Sequence, residues 1–120
     1  MNTSISTLIG LTLSEVEGGV GDDEVVFKTT TGRTFRMFHE QDCCESVQVE
    51  DVAGDMQDLV GSPIVQAEES SNSDNPPLRC ESFTWTFYRL ATAKGQVVLR
   101  WLGESNGYYS ESVSFEEVGQ

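Results

Sequence analysis

Basic residues are scarce in this chain. Seven Lys and Arg stand against 20 Asp and Glu in 120 residues, a formal net charge of −13. Duplex recognition needs a basic footprint on the phosphates, so this balance excludes direct nucleic-acid binding of that kind. It equally disfavours docking on an anionic membrane. Long apolar runs are missing as well. No segment approaches the roughly 20 apolar residues of a spanning helix, and the opening MNTSISTLIGLTL lacks the basic start and unbroken apolar stretch of a signal peptide. These absences predict a cytoplasmic protein. There are only three cysteines, two of them adjacent, and one histidine. With no export signal, the cysteines are expected to be free thiols. What remains is an ordinary globular composition, 38% hydrophobic and 22% charged, sized for one domain over 1–120.

Helix patterns are few, and period two dominates. DEVVFKTTTGRTFRMFHE predicts a hairpin of runs 24–30 and 33–39, with Gly32 supplying the positive φ of a tight turn. ESVQVEDV alternates, with Val47 and Val49 on one face. SFTWTFYRLAT is expected to turn Phe83, Trp85 and Phe87 to the core, and QVVLRWLG to return with Val97, Leu99 and Trp101 inward. ESVSFEEV predicts a last strand with Val113 and Phe115 inward. VAGDMQDLVG predicts a short helix capped by Asp55 and stopped by Gly61 and Pro63, and NTSISTLIG a second short helical turn. EESSNSDNPPLRCE, residues 68–81, reads as an exposed loop. The expected fold class is therefore α+β: a mainly antiparallel, twisted sheet of about six to eight strands with one or two short helices.

The chemical constellations are thin. His39, Asp42, Cys43 and Cys44 hold the ingredients of a Cys–His pair. If 43 and 44 are extended, however, their side chains point to opposite faces and at most one can meet His39. Vicinal cysteines do not have the spaced-pair pattern of a zinc site. EDVAGDMQD lacks the spacing of a calcium loop, and GGVGDDE puts acids where a phosphate would sit and precedes a strand. No catalytic residue, metal ligand or cofactor is assigned. GESNGYYSE, residues 103–111, reads as a hairpin connection whose Tyr108 and Tyr109 can contact a partner.

The acids are unevenly placed: ten lie between Arg36 and Arg79 with no Lys or Arg among them. This run predicts an acidic face for a positively charged protein surface. Glu45, Glu50, Asp51, Asp55 and Asp58 are the expected contacts, joined by Tyr108 and Tyr109.

The strings QDCCESVQVEDVAGDMQDLVGSPIVQAEE and ESFTWTFYRLATAKGQVVLRWLGESNGYYSESVSF resemble a family of small uncharacterised domains encoded mainly by bacteriophages and prophages. The resemblance spans most of the chain from Phe35 onward and implies action in the cytoplasm of an infected bacterium. It carries no reaction. With the acidic run, it suggests a non-catalytic, anti-CRISPR-like inhibitor that occupies the basic surface of a host defence protein by nucleic-acid mimicry. Two alternatives stay open. One is a sponge for a nucleotide defence signal, using Arg89, Arg100 and Tyr108; the other is a small enzyme using His39 and a cysteine.

Overall fold

The computed structural model describes residues 3–73 and 82–118. Eight strands form two antiparallel sheets: β1 (Leu13–Glu17), β2 (Glu24–Thr29), β3 (Thr34–Phe38), β4 (Ser46–Ala53), β5 (Gln66–Asn72), β6 (Ser82–Thr92), β7 (Gly95–Ser105) and β8 (Ser114–Val118). One sheet has the order β1-β2-β3-β8 and the other β4-β7-β6-β5. The only helical pieces among the described residues are two 3-10 turns, Ile5–Leu8 and Met56–Leu59. The fold is therefore nearly all-β, and the α+β expectation is corrected. Ser4 and Asp55 do cap these turns, but each run is four residues long, too short to propagate an α-helix.

Alternation builds the core. Val25 and Phe27 of β2, Phe35 and Met37 of β3, and Phe115 of β8 point inward from the first sheet. Val47 and Val49 of β4, and Val97, Leu99 and Trp101 of β7, answer from the second. All belong to one buried cluster, so the sheets pack face to face. Trp101 Nε1 donates across the gap to Met37 Sδ at 3.2 Å.

Two expectations are overturned by register. The inward face of β6 is Thr86, Tyr88, Leu90 and Thr92, whereas Phe83, Trp85 and Phe87 are half-buried on the outer face. The turn at Ala93–Lys94 pairs Thr92 with Gly95, so every odd-numbered inward residue of β7 faces an even-numbered residue of β6, Trp101 opposite Thr86 and Leu99 opposite Tyr88. Second, residues 68–72 are not loop but the exposed half of β5, paired with β6 from Gln66↔Ala91 to Asn72↔Trp85. Only Ala67 of this edge strand is buried, so its sequence carries no apolar alternation. The remainder of the expected loop, 74–81 with Cys80, lies outside the described residues. The predicted hairpin of β2 and β3, the inward Val47 and Val49, and buried Phe115 all stand.

Candidate functional site: a polar cleft where the chain crosses between sheets

The chain leaves the first sheet for the second through residues 39–45, and returns through 106–113. The two crossings meet at one end of the sandwich, where His39 Nδ1 lies 2.7 Å from the carbonyl oxygen of Ser112. The other ring nitrogen, Nε2, is 2.6 Å from Glu45 Oε2. Both ring nitrogens are thus engaged by oxygen atoms. The ring is a tie between the two crossings.

Glu45 is the centre of the first crossing. Its carboxylate accepts the backbone N–H of Asp42 at 2.8 Å and of Cys43 at 3.0 Å, while Gln41 Nε2 donates to its carbonyl oxygen at 2.7 Å. The bond to His39, followed by those two backbone donors, outweighs the cost of burial and holds the Glu45 carboxyl down at about 2. The chain bends at Cys43 and Cys44, which brings both side chains to one side and joins them in a disulfide. The expectation of free thiols at these two positions, drawn from the lack of an export signal, is thus corrected.

The second crossing is anchored by Glu111, which accepts hydrogen bonds from Thr84 Oγ1 at 2.8 Å and from Ser105 Oγ. Burial works against its charge, but the hydroxyls of Ser105, Ser82 and Thr84 prevail and keep the carboxyl below its usual range. Gly103 makes room for this fold-back, since a Cβ there would sit 2.5 Å from the carbonyl oxygen of Glu111. Farther out, Asn106 Oδ1 accepts the Tyr108 N–H at 3.0 Å. Tyr108 is 83% exposed and stands edge-on to Tyr109, with ring centres 5.0 Å apart.

Between the crossings lies a cleft of about 370 Å³. One wall is His39, Glu40, Gln41 and Asp42, and the other is Ser110, Ser112 and Ser114. Ser110 Oγ accepts the Ser112 N–H at 3.2 Å and lies 2.7 Å from Ser112 Oγ, so these two serines sit in a tight bend just before β8. Glu40 and Asp42 are exposed, and no Lys or Arg among the described residues lines the cleft. Such a lining is rich in acceptors and suits a cationic donor, an ammonium or a guanidinium.

The structure disperses the acids singled out in the sequence. Glu45 is 5% exposed and committed to internal bonds, so it is unavailable to a partner. Glu50 and Asp51 sit at a bulge in edge strand β4, where Asp51 is opposite Arg100. Asp55 caps the second 3-10 turn by accepting the Gln57 N–H at 2.9 Å. Asp58 follows in that turn, its carbonyl accepting the Thr92 hydroxyl and its carboxylate lying beside Gly95, at the opposite end of β4 from the cleft. Tyr108 and Tyr109 belong to the cleft end. Arg89 and Arg100 lie elsewhere, on the outer face of β6 and β7, away from Tyr108. Glu40 and the serine wall were missed. The Ser-x-Ser-x-Ser run of 110–114 was the available signal, a concentration of hydroxyls in the second crossing.

Fold and cleft together define a small acidic two-sheet domain with a polar recess at one end. Residues 6–115 match the domain of unknown function DUF7448, and the chain belongs to that family. No curated protein and no solved structure matches it. No helix among the described residues is long and apolar enough to cross a membrane.

Proposed function

We propose that this domain is a non-catalytic binding module whose cleft receives a cationic side chain from a protein partner. The observation that carries the reading is the lining itself: beside His39 stand the Glu40 and Asp42 carboxylates, the Gln41 amide and three serine hydroxyls, with no Lys or Arg among the described lining residues. Tyr108 projects from the same crossing and supplies an exposed aromatic contact. The net charge of −13 speeds encounter with a basic surface and makes it sensitive to salt. Two observations weigh against the Cys–His enzyme. The His39 ring is engaged at both nitrogens, and Cys43 and Cys44 are bonded to each other rather than available as thiolates.

Among partners with such a surface, we favour a bacterial defence protein that normally holds nucleic acid, on the strength of the resemblance to phage-encoded domains. The test is interferometry against such a complex stripped of its nucleic acid. Glu40→Lys with Asp42→Lys should slow association and flatten its salt dependence, while added nucleic acid competes with the wild type. Multiple turnover of a defence substrate, lost in a folded His39→Ala variant, would instead establish the enzyme.

A further inference from the structure

The cations of the first sheet are all matched to acids: Lys28 with Glu17, Arg33 with Glu117, and Arg36 with Glu24 and Glu116. The outer face of the second sheet breaks this pattern. Arg89 and Arg100 have no carboxylate within ion-pair distance among the described residues. Among the described residues the Arg89 side chain makes a single hydrogen bond, Nη1 to Ser70 Oγ at 3.2 Å. The Arg100 side chain makes none among the described residues, and its Nε is buried without a partner there. Its guanidinium carbon lies 4.9 Å from the centre of the Trp85 ring, which stacks the fork against the sheet. A guanidinium donates five N–H groups in a fixed fork, and leaving buried donors unmade is costly unless something else accepts them.

Register places the two arginines diagonally on neighbouring strands, with the Arg89 fork against Ser70 and the Arg100 fork over Trp85. Phe87 is opposite Arg100 and Arg89 is opposite Val98, so the arginines occupy one diagonal of a four-residue square and apolar side chains the other. Diagonal neighbours on an antiparallel pair are about 7–8 Å apart, within converging reach of two arginines. Phe87 and Val98 are half-buried and floor the patch. Glu68 and Asp51 are the next residues outward in the same cross-strand rows, opposite Arg89 and Arg100. Carboxylates at the rim disfavour a long polyanion, as does the net charge. They leave room for a small one.

We infer that the outer face of β6 and β7 carries a second site, built by Arg89, Arg100 and Phe87, for a small phosphorylated nucleotide. The two forks take adjacent phosphates through bidentate bonds, and the base lies on Phe87. The site is separate from the cleft and does not depend on the function proposed for it.

The test is a titration of the isotope-labelled full chain with ADP, with pyrophosphate and with a single-stranded oligonucleotide, read by amide shifts and calorimetry. ADP should move the amides of residues 87–89 and 98–100 and bind more tightly than pyrophosphate. Arg89→Ala and Arg100→Ala should each weaken ADP binding roughly tenfold or more, and Glu40→Lys with Asp42→Lys should not weaken it. Arg100→Lys, which keeps the charge but loses the fork, should also weaken it and serves if the alanine variant unfolds. Absence of shifts at millimolar ADP would overturn the inference. So would pyrophosphate binding as tightly as ADP, an oligonucleotide binding more tightly than ADP, or ADP binding unaffected by the arginine variants.

Discussion

Glu45 concentrates the chemistry of the cleft end in one side chain. It receives the His39 ring and two backbone N–H groups, and the ring passes the connection on to Ser112. A carboxyl held at about 2 in the folded chain, against an ordinary value near 4.3 in the unfolded one, stabilises the fold fully above that ordinary value. The contribution is lost as pH falls toward 2, because protonation then costs the folded state its acceptor. Denaturant midpoints measured from pH 5 to pH 2 should therefore decline in the wild type. Glu45→Gln should be less stable at pH 5 and decline less over the same interval. An identical decline in both proteins would show that other carboxylates govern the acid transition. The sequence marked His39 as part of a Cys–His constellation and Glu45 as a partner contact, but six residues of separation do not reveal that a bend turns one back onto the other. The tie is a product of the crossing between sheets, which sequence periodicity does not encode.

At the scale of elements, the strand pattern was legible and the assignment of faces was not always so. β2, β3, β4 and β7 each bury the side chains their alternation predicts, because one face is apolar and the other polar. β6 is apolar on both faces, with Phe83, Trp85 and Phe87 on one and Tyr88 and Leu90 on the other, so alternation alone does not choose. The two-residue turn at Ala93–Lys94 chooses, through register. The consequence is measurable. Trp101→Ala should cost about 3–5 kcal/mol, as for a fully buried aromatic, whereas Trp85→Ala should shift the denaturant midpoint distinctly less. Equal losses would mean that β6 presents its odd-numbered face to the core. β5 was read as loop because an edge strand with one buried residue has nothing to alternate. Gly103 belongs to this scale too. Its replacement by Ala drives a methyl into the Glu111 carbonyl, and an overpacking penalty of about 1–3 kcal/mol is expected from urea unfolding. A neutral Gly103→Ala would show that the second crossing can retreat.

The whole molecule is a strongly anionic sandwich whose acids are distributed rather than gathered on one face. Glu24, Glu116 and Glu117 neutralise arginines on the first sheet, Glu45 and Glu111 pin the crossings, and Asp55 caps a turn. Of the ten-acid run, Glu45 and Asp55 are thereby committed to structural bonds, and they are not free for recognition. Self-repulsion of this charge should make the fold more stable as sodium chloride is raised from about 0.01 M to 0.15 M, over which the screening length falls from about 30 to 8 Å. A midpoint that falls with salt would mean that the surface ion pairs outweigh that repulsion.

The claim that the cleft takes a cationic side chain has a direct measurement: titration of the isotope-labelled chain with a penta-arginine peptide, followed by amide shifts, in the wild type and in Glu40→Lys with Asp42→Lys. Localised shifts at residues 40–42 and 110–114 are expected in the wild type, weakened by salt and lost in the reversal variant while its remaining spectrum is unchanged. Binding that survives the reversal, or shifts centred on Glu50, Asp51, Asp55 and Asp58 instead, would contradict it.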